Sequence, residues 1–138
     1  MKLIRRMLIL LLLATGFAVG QGLLQGLPDP TPKMDAWGLT VEAALEMEPV
    51  LWVDARTEQL FNQRHLEGAL HMSHDDFDSG LSRLLQSWDP EMSIVVYCDG
   101  EGCESSQVLA AELREVLGEE RVYWLIGGWA ELKEVSNR

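Results

Sequence analysis

The chain has 138 residues, the length of a single domain, and its 22 acidic against 11 basic residues give a net charge of −11. This acidic balance repels nucleic acid, so we expect no nucleic-acid partner. Two cysteines are too few for a fold that disulfides hold together.

Residues 1–24 have the layout of a signal peptide or an N-terminal membrane anchor. Lys2, Arg5 and Arg6 precede an almost uninterrupted apolar run with small residues at its end, which form an imperfect cleavage site. If it is not cleaved, the run approaches the roughly 20 residues that span a bilayer. The basic end stays in the cytoplasm. We therefore expect an exported protein, either periplasmic or on the outer face of the cytoplasmic membrane, where residues 7–24 contact the membrane.

The rest of the chain divides into a linker and one domain. Residues 25–39 are rich in proline and glycine, which break regular structure, and are interpreted as a linker. The domain then covers residues 40–138. Thr40 is predicted to be the N-cap of a short helix that ends before Pro49.

Strand and helix patterns alternate through the predicted domain. Three apolar runs without polar alternation predict strands buried on both faces, at residues 50–53, 94–97 and 122–125, and residues 69–72 form a weaker fourth candidate. Helical spacing of apolar residues predicts helices at 77–85 and 108–117, the second followed by Gly118. This order predicts an α/β fold whose functional groups collect at the carboxyl ends of parallel strands.

Cys98 directly follows one of those predicted strands and begins a glycine-containing loop. Such a loop can curl with its N–H groups pointing inward. Ser105 or Ser106 can cap the next helix, whose N-terminus carries a partial positive charge. Both features stabilise a thiolate, which is the nucleophilic form of cysteine. The alternative is a buried, inert cysteine, which does not require a glycine loop.

Four segments resemble, in the same order, the motifs of rhodanese-like domains. Residues 53–56 and 61–69 resemble the family's early signature, and residues 94–98 and 125–129 resemble its active-site strand and closing turn. The resemblance implies a three-layer α/β sandwich with a central, mainly parallel sheet flanked by helices. It also implies a sulfurtransferase, in which a cysteine takes up sulfane sulfur as a persulfide and passes it to an acceptor without a cofactor.

Through this resemblance, Cys98 matches the persulfide-forming nucleophile. The backbone N–H groups that would cradle its sulfur belong to Asp99, Gly100, Glu101, Gly102 and Glu104. Asp54, Arg56 and His65 match signature positions outside the loop. We interpret Asp54 and Arg56 as structural residues, joined by an ion pair or by hydrogen bonds. His65 is interpreted as a structural hydrogen-bonding residue.

The remaining histidines are not interpreted as ligands. His71 and His74 are expected to be solvated, and without a third ligand we expect no metal site.

The loop departs from the family's pattern. Single-domain members commonly run six residues from the cysteine to an arginine, whereas the same count here reaches Cys103, and the loop is interpreted as lengthened. Three carboxylates, at Asp99, Glu101 and Glu104, would repel an anionic donor such as thiosulfate and disfavour the thiolate. A phosphatase of this fold needs a loop arginine to grip phosphate, and none lies between residues 98 and 107.

Cys103 offers a second thiol, and its role stays open at this point. It could attack a persulfide on Cys98, receive the sulfur, or react as a resolving thiol with an oxidised Cys98. Alternatively, it could form a disulfide with Cys98 that only constrains the loop. The leading hypothesis is sulfur transfer between a small sulfur donor and a thiol acceptor, including a protein thiol. The alternatives are a thiol–disulfide redox protein that uses both cysteines and a non-catalytic binding module at the cell envelope.

Overall fold

The computed structural model of the chain describes residues 34–100 and 104–136. The predicted signal or anchor at 1–24, the linker through residue 33, and the loop residues Glu101, Gly102 and Cys103 lie outside these ranges. Within them, no helix combines the length and the apolar character that crossing a bilayer requires.

Strands and helices alternate along the described residues. The strands are β1 (Gly38–Leu39), β2 (Val50–Asp54), β3 (Leu70–His71), β4 (Ser93–Tyr97) and β5 (Val122–Leu125). The helices are α1 (Val41–Leu45), α2 (Glu58–Gln63), α3 (Phe77–Ser87), α4 (Glu104–Leu117) and α5 (Gly128–Ser136). Short 3-10 turns at Met34–Trp37 and His74–Asp76 precede β1 and α3.

The five strands form one parallel sheet in the order β1-β5-β4-β2-β3. All five residues of the central strand β4 are buried, which explains why its sequence has no polar alternation. Strands β2 and β5 are less covered than the sequence predicts, because each contains half-buried residues. Their half-buried Val50, Trp52 and Tyr123 lie on the face that the short helices α1 and α5 cover.

Helices cover both faces of the sheet, so the predicted three-layer α/β architecture is confirmed. On one face, Leu84 of α3 and Leu109 of α4 are fully buried against β2 and β4. On the other face, Val41 of α1 and Leu132 of α5 pack against β4 and β5. Each amphipathic helix buries its apolar stripe against the continuous apolar surface of a parallel sheet.

Predictions about helix ends have mixed outcomes. Thr40 caps α1, because its hydroxyl accepts a hydrogen bond from the Ala43 N–H at 3.3 Å. Gly118 follows α4 in the left-handed conformation with φ +65°, as a residue after a helix end does. The prediction that Ser105 or Ser106 caps α4 is wrong, because that helix already begins at Glu104.

Two α-helices and one strand were not predicted, and each lacks a readable sequence signal. Helix α2 has no buried residue and therefore no apolar stripe. Helix α5 begins inside the glycine pair that resembles a turn. Strand β1 lies in the stretch interpreted as a linker, and Gly38 pairs there with Trp124 of β5. A Cβ at Gly38 would lie 2.7 Å from the Trp124 ring, so the absence of a side chain at Gly38 leaves the space that this ring occupies.

Candidate functional site

Three neighbouring strands end side by side at the carboxyl edge of the sheet. In the register of β2, Asp54 is opposite Tyr97 at the end of β4 and opposite His71 at the end of β3. Cys98 follows Tyr97 directly. The sheet therefore brings Asp54, His71, Tyr97 and Cys98 to one edge, where parallel α/β folds place their functional groups.

The side chain of Cys98 points into the layer below α4 and is 2% exposed. Its Sγ lies 3.3 Å from the hydroxyl of Ser106, a residue in the first turn of α4 that is 1% exposed. Cys98 is disulfide-bonded. A disulfide sulfur carries no proton, so the Ser106 hydroxyl is the donor in this contact. The sequence has one other cysteine, Cys103, which lies outside the described residues.

Two polar features beside the Cys98 sulfur favour its anionic form and oppose the cost of burying a charge. A buried hydroxyl can donate to a thiolate, and a hydrogen bond to a charged group is stronger than one between neutral groups. The sulfur also lies near the N-terminus of the 14-residue helix α4, where the helix dipole favours negative charge. Once reduced, Cys98 therefore has two sources of thiolate stabilisation that do not depend on the rest of the loop.

The first turn of α5 fixes the beginning of the Cys98 loop. The Trp129 N–H donates to the Cys98 carbonyl at 2.6 Å, and the Ala130 N–H donates to the Asp99 carbonyl at 3.1 Å. Gly128 adopts φ +54°, and a Cβ at this position would lie 2.4 Å from the Cys98 carbonyl oxygen. Glycine is therefore required for the close approach of the two backbones.

Asp54 and Arg56 form a buried ion pair at the end of β2, and they are 0% and 6% exposed. Arg56 Nη2 lies 2.7 Å from Asp54 Oδ2, and Arg56 Nε lies 3.0 Å from Oδ1. The guanidinium also donates to the Arg64 carbonyl and stacks 4.5 Å from the centre of the Trp129 ring. Burial lowers the pKa of Arg56, but the hydrogen bond and charge of Asp54 outweigh it and raise the pKa above its usual value. The pair thus connects β2 to Trp129, the residue that holds the Cys98 carbonyl.

Tyr97 extends this network across the edge of the sheet. Its hydroxyl accepts a hydrogen bond from the Leu66 N–H at 3.3 Å and donates one to Asp54. Burial raises the pKa of Tyr97 well above its usual value, and the nearby negative charge of Asp54 acts in the same direction. The phenol therefore stays neutral and remains a donor to the carboxylate.

The three histidines differ in their surroundings. His65 is exposed, and its Nδ1 lies 2.8 Å from the Phe61 carbonyl while its ring stacks on Phe61. The expectation of a solvated His71 is wrong, because this side chain is half-buried and its Nε2 lies 2.8 Å from the Arg56 carbonyl. His74 is exposed, with Nδ1 3.2 Å from Glu112 Oε2. Within the described ranges, no three His, Cys, Asp or Glu side chains are grouped to hold a metal ion.

A cleft of about 750 Å³, here called the carboxyl-edge cleft, lies beside these groups. Its wall includes the start of α2, the end of β3, the 3-10 turn before α3, and Ser105 of α4. Among its lining residues are Glu58, Asp75, Asp76 and Arg83, none of which the sequence singles out, and Phe61, which begins the signature segment 61–69. The four charged residues match no motif, so only the fold could reveal them.

The described part of the predicted cradle is only partly enclosed. Asp99 and Glu104 are exposed, and Gly100 is half-buried. Asp99 is close enough to Arg56 for its charge to raise the pKa of that guanidinium, after the larger effects of burial and Asp54. The negative charge of the loop at Asp99 therefore acts on Arg56, which lines the carboxyl-edge cleft.

Comparisons with known proteins agree with this architecture. The model of the Rhodanese-like domain family matches residues 40–134. The chain is similar to the solved structure of the BH2092 protein from Bacillus halodurans, with 22% identity, a TM-score of 0.60, and coverage of 75% of this chain and 76% of that chain. It is similar to the Alr3790 protein from Anabaena sp., with 26% identity, a TM-score of 0.52, and coverage of 70% and 77%. No curated protein matches the chain. Since the matched domain covers well over half of the chain, the chain belongs to the rhodanese-like domain family.

Proposed function

We propose that this protein is a sulfurtransferase that carries sulfane sulfur as a persulfide on Cys98. The family includes sulfurtransferases as well as phosphatase-like members. The observation that carries the proposal is the 3.3 Å contact between the Cys98 sulfur and the buried Ser106 hydroxyl at the N-terminus of α4. This arrangement supports a thiolate, which is the reactive form for attack on sulfane sulfur. The sequence favours sulfur transfer over phosphoryl chemistry, because the segment from 98 to 107 contains no arginine.

The reaction begins with reduced Cys98. Its thiolate attacks the outer sulfur of a donor persulfide, R–S–SH, so that a new S–S bond forms on Cys98 while the donor's S–S bond breaks. The donor leaves as the thiolate R–S⁻, and the proton stays on the transferred sulfur. An acceptor thiolate then attacks the same sulfur, takes it as a persulfide and releases the Cys98 thiolate. No net oxidation occurs.

Cys103 is proposed to act as the second thiol. Its thiolate would attack the inner sulfur of the Cys98 persulfide, form the Cys98–Cys103 disulfide and expel HS⁻. A thiol reductant would then return both cysteines to their starting state.

The same two residues suit the alternative function, a thiol–disulfide redox protein. The specific observation that favours this alternative is that Cys98 is disulfide-bonded.

The experiment uses the full chain, reduced and then incubated with a small persulfide donor. Sulfur that cyanide releases is measured after the donor has been removed. We expect Cys98→Ser to lose the label, whereas Cys103→Ser keeps it and holds it longer because no second thiol expels the sulfur. Equal label in Cys98→Ser would contradict the sulfurtransferase. Absence of label in every form, together with disulfide exchange that needs both cysteines, would favour the redox alternative.

Export across the cytoplasmic membrane is part of the proposal. The basic and apolar layout of residues 1–24 supports it, and an oxidising compartment is where a Cys98 disulfide would persist. A C-terminal fusion to an alkaline phosphatase, which is active only outside the cytoplasm, tests this point. We expect phosphatase activity with the full chain and its loss when residues 7–20 are deleted. Equal activity of the two fusions would contradict export through this segment.

A further inference from the structure

The carboxyl-edge cleft adjoins the first turn of α4, which also contacts the Cys98 sulfur. Ser105 lines the cleft, and the next residue, Ser106, contacts the Cys98 sulfur. Cys98 itself is 2% exposed and is not among the residues that line the cleft, so the cleft would hold the partner's chain beside the reacting sulfur rather than around it. We propose that this cleft binds a basic polypeptide segment whose cysteine donates or accepts the sulfur. This inference rests on the proposed sulfur transfer.

The charges of the cleft favour a cationic partner. Its two arginines are each paired with a carboxylate: Arg56 with the buried Asp54, and Arg83 with Asp76 at 3.2 Å. The exposed carboxylates of Glu58 and Asp75 add further negative charge to the wall. The wall is of mixed sign, but three lining carboxylates stand against two lining arginines. A net excess of negative charge attracts a cationic partner.

The size and the surface of the cleft favour a polypeptide over a small inorganic anion. A volume of about 750 Å³ is in the range that encloses organic ligands of many atoms, and a small anion would fill little of it. Half-buried Phe61 and Leu70 and buried Ala69 form apolar parts of the lining. Lysine and arginine combine an aliphatic stem with a charged head, so they suit a wall that contains both apolar residues and carboxylates.

The test compares two synthetic peptides that carry the same central cysteine persulfide. One peptide has lysines beside the cysteine, and the other has glutamates. The full chain is reduced and mixed with each peptide, and persulfide formation on Cys98 is followed by rapid quenching and intact mass. We expect the lysine peptide to load Cys98 roughly tenfold faster at low salt. The ratio should fall towards one in about 1 M salt, where charges are screened within a few ångströms.

Charge-reversal variants test whether the preference for the lysine peptide originates in the cleft. Glu58→Lys and Asp75→Lys are each expected to reduce the ratio of the two rates several-fold. Glu120→Lys is the matched control, because it changes the net charge by the same amount. Glu120 is exposed and lies just before β5, at the amino ends of the strands and away from the carboxyl edge. The control should keep the ratio of the unchanged chain, and an equal effect of all three variants would overturn the assignment.

The outcomes separate this inference from the proposed function. Equal loading by both peptides, or faster loading by the glutamate peptide, overturns the basic-segment inference and leaves the sulfurtransferase intact. Loading by free cysteine persulfide as fast as by the lysine peptide overturns the polypeptide partner. If neither peptide nor free persulfide loads Cys98, the sulfurtransferase itself is refuted.

Discussion

Replacement of Gly128 by alanine tests how the closing turn holds the Cys98 loop. Gly128 has φ +54° and precedes Trp129, whose N–H donates to the Cys98 carbonyl at 2.6 Å. A Cβ at Gly128 would lie 2.4 Å from that carbonyl oxygen and 3.1 Å from the Gly100 nitrogen. Both neighbours are backbone atoms, so the contact cannot be relieved by rotation of a side chain.

The expected cost has three parts. A non-glycine residue in the left-handed conformation costs about 1 kcal/mol. Relief of a backbone overlap costs roughly 1–3 kcal/mol, as other overpacked sites show. If the turn moves away, the Trp129–Cys98 hydrogen bond is weakened, at about 1 kcal/mol. We therefore expect Gly128→Ala to reduce the free energy of unfolding by about 3–5 kcal/mol.

Gly118→Ala is the matched control. Gly118 has φ +65°, but a Cβ there would meet nothing within 4 Å. This variant should lose only the conformational part, about 1 kcal/mol. Urea denaturation of both variants measures the difference, and persulfide loading of Cys98 reports whether the loop is displaced. Equal destabilisation by the two substitutions would refute the close approach of Gly128 to the Cys98 loop.

Three further outcomes are expected. Asp54→Asn should reduce the free energy of unfolding by about 3–5 kcal/mol, because the Arg56 charge is then buried without its carboxylate; a loss below about 1 kcal/mol in urea denaturation would contradict this. Ser106→Ala should slow persulfide loading of the reduced chain roughly tenfold in rapid-quench measurements, because the thiolate loses a hydrogen bond, whereas Ser82→Ala, at an exposed position of α3, should not. Because burial raises the pKa of Tyr97, its contribution to stability is fully present below the usual tyrosine pKa of about 10 and is lost as pH rises above it. Urea denaturation between about pH 9 and pH 11 should therefore show a steeper loss in the unchanged chain than in Tyr97→Phe, and parallel losses would contradict the raised pKa.

The buried strands could be predicted from the sequence because a parallel strand covered on both faces must be apolar throughout. The runs at 50–53, 94–97 and 122–125 therefore predicted β2, β4 and β5 to within one residue at each end. Helices α3 and α4 were predictable for a similar reason, since their apolar stripes recur at helical spacing. Helix α2 was not, because it buries no residue and so leaves no pattern.

The candidate site was only partly predictable. Cys98 was found because it follows a strand end, and the carboxyl ends of parallel strands meet at one edge. The partner of its sulfur was not found: Ser106 suggests a helix cap in the sequence, whereas in the structure its hydroxyl contacts Sγ. Helix α4 begins two residues before Ser106, and this rotates the hydroxyl away from a capping position.

The sequence by itself determined the alternation of buried strands and amphipathic helices, the position of Cys98 at a strand end and the absence of an arginine after it. These features depend on local pattern and on residue identity. The tertiary structure alone decided that Arg56 stacks on Trp129, that Gly128 approaches the Cys98 carbonyl, and that distant residues form the carboxyl-edge cleft. Such contacts join segments far apart in the chain, and their existence depends on sheet order and register, which no local pattern encodes.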